Sequence, residues 1–169
     1  MTSLIVVAVV LCAGAVATFI GTRLINRTYL PGGRFIEVDG FRQHVIELGN
    51  DAAASGPPVI LLHGAGANLQ DMNLALGERL AARHHRVILV DRPGFGFSAR
   101  KAGEGSSPAS QASVLRDLFD KLGVDRAIVV GHSWGGALAL TFALDFRSVS
   151  PGSSLLRRRP IPPSPAWRS

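Results

Sequence analysis

A chain of 169 residues, 47% of them hydrophobic, has enough apolar material for one domain with a sizeable core, which excludes a disordered chain. Its net charge of +6 does not mark a nucleic-acid binder, because five of the 18 basic residues are arginines after Phe146, where no acid occurs; residues 1–146 hold 13 basic against 12 acidic side chains. The single cysteine, Cys12, excludes an internal disulfide and a cysteine-built zinc site.

No side chain from Thr2 to Thr22 is charged, and Leu4 to Ile20 is apolar or small apart from Thr18. As a helix these positions reach roughly 30 Å, the thickness of a bilayer's hydrocarbon core. Residues 1–22 are therefore predicted as a transmembrane anchor, with residues 2–22 in contact with the membrane. A cleaved signal peptide is the competing reading, since small residues near Ala15 resemble a cleavage site; removal of residues 1–17 would then send the domain to the periplasm or the medium. Yet Met1-Thr2-Ser3 carries none of the basic side chains that open a signal peptide. Arg23, Arg27 and Arg34 follow the apolar run instead. The positive-inside rule then puts the N-terminus outside and the following domain on the cytoplasmic side. Residues 23–33, ending in Pro31-Gly-Gly, read as a linker.

The soluble pattern occupies residues 34–146. Arg34 to Val38 and Arg42 to Leu48 alternate like strands around Asp39-Gly40, a hairpin dipeptide. Pro58 to Leu62 is a fully apolar run ended by His63-Gly64, as expected of a buried parallel strand. Asn68 to Arg83 is predicted as a helix, with Leu69, Met72, Leu76 and Leu80 on its inner face. A strand at Arg86 to Val90 stops at Asp91-Arg-Pro-Gly. After a Gly- and Ser-rich loop at 102–110, the pattern predicts a helix at 112–122, a third buried strand at 127–130 and an apolar helix at 135–146. Strand and helix alternate three times, which predicts an α/β fold: a parallel sheet flanked by helices. Residues 147–169 hold five Arg, six Ser and five Pro with no periodicity, and such a tail is expected to be disordered.

Gly131-His-Ser-Trp-Gly135 fits the pattern G-x-S-x-G, directly after an apolar strand and directly before a helix. In that position Ser133 is a candidate nucleophile on a strained turn, and the flanking glycines leave room for adjacent backbone. The plainer alternative is a serine that merely caps the helix. Two further motifs stand in order before it, His63-Gly-Ala-Gly66 and Asp91-Arg-Pro-Gly-Phe-Gly-Phe-Ser98. With these three motifs, residues 34–146 resemble the serine-nucleophile α/β-hydrolase fold family, in its N-terminal half and as far as the helix after the elbow.

The resemblance implies that Ser133 attacks a carbonyl carbon and forms an acyl-enzyme. The oxyanion would be held by the backbone N–H groups of Trp134 and Ala65, each such donor being worth about 2.7–4 kcal/mol. It implies a small-molecule carbonyl substrate, with no cofactor and no metal. A serine at the elbow speaks against haloalkane dehalogenases and epoxide hydrolases, relatives that use aspartate there. His63 and Asp91 are expected to brace their turns, Arg92 to be solvated or to tie its loop, and His132 to point away from the nucleophile. His84-His85 is expected to end a helix rather than bind metal.

In this family the acid and the histidine that activate the serine follow it in the chain. After Ser133 the sequence offers only Asp145, on the next helix, and no histidine. The switch to an Arg/Ser/Pro tail at Arg147 is what a shifted reading frame in GC-rich DNA produces, and a sheet ending at the Ser133 strand would leave an aggregation-prone edge. The sequence therefore supports a membrane-anchored serine hydrolase whose activity in this form is in question. The alternative is a catalytically inactive membrane protein that binds a ligand or partner.

Overall fold

The computed structural model describes residues 2–28, 30–49, 54, 56–101 and 106–146, which form two units, residues 1–34 and 35–169. The expectation of disorder for 147–169 lies outside the described residues.

The first unit is a single helix, α1 (Thr2–Thr28). Its segment Ser3–Ile25 has a mean hydropathy of 2.7 and no buried residue. The hydroxyls of Thr18, Thr22 and Thr28 donate to the carbonyls of Gly14, Thr18 and Leu24, one turn back. These three hydroxyls are thus satisfied within the helix. It runs six residues into the expected linker, because nothing in the sequence breaks it before Pro31.

The second unit is a five-stranded sheet of order β1-β2-β4-β3-β5. β1 (Arg34–Val38) and β2 (Phe41–Leu48) form the predicted hairpin. Its turn places Asp39 and Gly40 at φ 50° and 79°, the left-handed pair that matches strand twist. β3 (Val59–Leu62), β4 (Val87–Val90) and β5 (Ile128–Gly131) are mutually parallel. The sheet as a whole is mixed rather than parallel, since β2 runs antiparallel to β4, Val45 facing Val90. Strand–helix alternation fixes the direction only of strands joined by crossovers; the half-buried pattern of β2 belongs to an antiparallel strand.

Alternate residues of β3 and β4 face opposite sides. Ile60, Leu62, Ile88 and Val90 pack under α4 (Pro108–Lys121) and α5 (Trp134–Asp145). Val59, Leu61, Val87 and Leu89 pack against Leu69 and Met72. The latter two lie on α2 (Leu69–Met72), which passes through a π-helical turn (Asn73–Gly77) into α3 (Glu78–Ala81).

The wider π turn turns Gly77 to the core, where its Cα side faces Leu89, and leaves Leu76 38% exposed instead of inward-facing. α4 starts at Pro108, four residues before its expected start, capped by the Ser107 hydroxyl, which accepts the Ser110 N–H at 3.2 Å. β5, expected to be buried, is partly exposed, with Ile128 at 53%, because it is the last strand of the described sheet.

Candidate active site

The register that pairs Leu62 with both Val90 and Gly131 ends the three parallel strands level with one another. The loops beginning at His63, Asp91 and His132 therefore meet at the carboxyl edge of the sheet, where open α/β sheets place their ligand sites.

Ser133 joins β5 to α5 with φ 52° and ψ −116°, outside the regions that L-residues ordinarily occupy. The two glycines of the motif make the turn possible. A Cβ on Gly131 would lie 2.0 Å from the Gly135 carbonyl oxygen, and one on Gly135 would lie 2.4 Å from that of Leu62. Side chains are thus excluded where α5 crosses the strand ends. Ser133 is exposed, and its side chain makes no capping hydrogen bond to α5, so the helix-capping alternative falls.

Gly64 abuts this turn: a Cβ there would lie 3.4 Å from Ser133 Cβ and 3.0 Å from His132 Nδ1. The His132 ring thus leans on Gly64, and its backbone N–H donates to Leu62 O at 3.0 Å. Among the described residues, the N–H groups of Ala65 and Trp134 have no acceptor, the latter as one of the orphan donors of a helix start. Two free donors therefore belong to the two turns that adjoin Ser133. No described side chain hydrogen-bonds the Ser133 hydroxyl, and no described group of three or more His, Cys, Asp or Glu could hold a metal.

The other motif residues form a buried brace. Asp91, 1% exposed, accepts the Leu69 N–H at 2.8 Å, the Phe97 N–H at 3.0 Å and the His44 Nδ1–H at 2.7 Å. It thereby fixes the start of α2 and the loop 91–98. Ser98 Oγ donates to Asp91 O and accepts the His44 N–H. His63, fully buried, accepts the Arg92 N–H at Nε2 (3.0 Å), so its proton sits on Nδ1 and is donated to Gly64 O (2.9 Å). Burial pulls the pKa of His63 below its ordinary 6.5, which favours this neutral form.

His63 and Asp91 thus brace their turns as expected. Arg92 ties loops together but is not solvated: it is 1% exposed. His44 was missed, because one histidine within an alternating strand carries no signal that its ring meets an acid 47 residues away.

A family model described as the alpha/beta hydrolase fold matches residues 57–154. The chain is 35% identical over 117 residues to a 2-hydroxy-6-oxo-2,4-heptadienoate hydrolase of Pseudomonas putida, across 68% of this chain and 40% of that one. It is 33% identical over 112 residues to a soluble epoxide hydrolase of a Corynebacterium species, across 66% of this chain and 36% of that one. Among solved structures, an esterase from Exiguobacterium antarcticum superposes with a TM-score of 0.58 at 32% identity, covering 68% of this chain and 40% of the esterase. The chain thus spans about 40% of the length of such relatives.

Proposed function

The chain belongs to the α/β-hydrolase fold family, and the three relatives named above are hydrolases by name; from that premise we propose that it carries the nucleophile and oxyanion hole of a membrane-anchored serine hydrolase. The observation that supports this most directly is the exposed Ser133 on its strained turn, adjoined by two turns whose Ala65 and Trp134 N–H groups lack acceptors. In the proposed step the Ser133 oxygen bonds to a carbonyl carbon and its proton passes to a general base that the described residues do not supply. The carbonyl π pair moves to oxygen, where the two N–H groups donate to the oxyanion; the pair then re-forms the C=O as the bond to the leaving group breaks, and the leaving group departs with that bond's electrons, takes up the proton from the base and leaves the acyl-enzyme.

The substrate class is a small molecule with an ester, thioester, amide or related carbonyl bond. One relative is named for an oxo-dienoate and another is an esterase, and both kinds of substrate carry such a carbonyl. The anchor is α1, with its N-terminus outside and the domain on the cytoplasmic side. A second reading, an inactive membrane-bound ligand- or partner-binding protein, is favoured by the lack of any described side chain bonded to the Ser133 hydroxyl.

Labelling of the membrane-bound chain with a fluorophosphonate separates the two. Labelling that Ser133→Ala abolishes supports the hydrolase; folded chain that stays unlabelled supports the second reading.

A further inference from the structure

Arg92 is among the most buried large side chains of the molecule, at 1% exposure, and among the described residues it has no carboxylate partner. A buried cation without a counter-ion is costly unless hydrogen bonds replace its hydration. Here all three guanidinium nitrogens donate to oxygens, two of them backbone carbonyls of one turn. Nε donates to His63 O at 2.9 Å, Nη2 donates to Gly64 O at 2.8 Å, and Nη1 donates to Gln111 Oε1 at 3.2 Å. The guanidinium lies between two rings, 4.3 Å from the centroid of Phe95 and 4.4 Å from that of Trp134.

Gly64 C=O and Ala65 N–H belong to the same planar trans peptide, so they point in opposite directions. The carbonyl is held by two donors, Arg92 Nη2 and His63 Nδ1, the latter at 2.9 Å. That pair sets the direction of the Ala65 N–H. A cation on the oxygen also draws electron density from the nitrogen and makes the N–H a stronger donor, the cooperative polarisation of linked hydrogen bonds. The same guanidinium packs on Trp134, whose own N–H is the other free donor.

We propose that Arg92 is a positioning residue for the oxyanion hole, with its buried charge orienting and polarising the Gly64–Ala65 peptide and its face fixing Trp134. This rests on the reading of Ala65 and Trp134 as oxyanion donors. Gln111 and the backbone of His63 hold the guanidinium in place. Lysine would keep the charge but not the fork, and methionine would keep the apolar stem alone.

The test is solution NMR of the full chain in detergent micelles, comparing wild type with Arg92→Met and Arg92→Lys. The Gly64 carbonyl carbon and the Ala65 amide nitrogen are expected at deshielded positions in wild type. Both should move upfield in Arg92→Met and partway back in Arg92→Lys. Unchanged shifts in folded Arg92→Met overturn the proposal. Should Arg92→Met fail to fold, wild-type shifts at ordinary values for a singly bonded peptide overturn it equally.

Titration with phenylboronic acid, whose tetrahedral adduct at Ser133 mimics the oxyanion, separates this proposal from the reading beneath it. Binding that Arg92→Met weakens by at least about tenfold supports the proposal. Wild-type binding that Ser133→Ala leaves intact refutes the nucleophile reading, while the Ala65 shifts still decide the role of Arg92.

Discussion

Ser133 is held in a backbone conformation that costs on the order of 1–3 kcal/mol for a residue with a Cβ. Glycine pays little of that strain, so Ser133→Gly is expected to raise stability by about 1 kcal/mol, read as a higher urea midpoint; a lower midpoint would show that the turn is unstrained. The neighbouring glycine behaves oppositely. In Gly135→Ala the new methyl meets the Leu62 and His63 carbonyl oxygens, and backbone cannot yield as a side-chain tip can. A loss of about 1–3 kcal/mol is expected, and an unchanged midpoint would refute the close packing of α5 on β3. His63 gives the chain a pH dependence. Burial lowers its folded pKa below the unfolded 6.5, so between those values the unfolded chain binds more protons than the native one. Stability is full above pH 6.5 and falls as the pH drops from there through the folded pKa. His63→Gln removes this titration, so urea midpoints measured across that range should flatten; an equally steep loss in the variant assigns it to other groups.

At the scale of elements, helix starts depend on short-range chemistry that periodicity overlooks. Ser107-Pro108 is a cap followed by a residue pre-set for the first turn, and Ser107→Ala is expected to cost about 1 kcal/mol of stability by urea denaturation. The π turn at Asn73–Gly77 had no comparable signal: Leu69, Met72, Leu76 and Leu80 fit an unbroken helix, and only the small Gly77 beneath Leu89 shows which residue faces inward. The strands differ in exposure for a reason of position. β3 and β4 have neighbours on both sides and are buried along their length, whereas β5 ends the described sheet. Hydrogen exchange should therefore be slowest in Ile60–Leu62 and Ile88–Val90 and faster in Ile128–Val130. Equal protection of β5 would mean that something covers its outer edge.

At the scale of the whole molecule, the proposed anchor is the apolar segment Ser3–Ile25, whose mean hydropathy is 2.7. A charge near the middle of such a segment costs about 2.5–3.5 kcal/mol on insertion. Ala13→Arg is thus expected to shift the chain out of carbonate-washed membranes, by immunoblot of the fractions; an unchanged distribution would argue against the anchor.

The sequence alone determined the elements whose physics is local. Period-two and fully apolar runs gave the strands, Asp39-Gly40 gave the hairpin, and Gly131 to Gly135 gave the elbow with Ser133, because in each case neighbouring residues set the backbone. Tertiary structure decided the rest. The direction of β2 depends on which strand it pairs with, and the shift of the inner helix face depends on how Gly77 meets Leu89. The burial of Arg92 depends on the His63-Gly64 turn, Gln111 of α4 and Trp134 at the start of α5 converging on it. An arginine after an aspartate reads as solvated because charge ordinarily stays in water; only the register of β3, β4 and β5 brings together the carbonyls and rings that let it stay inside.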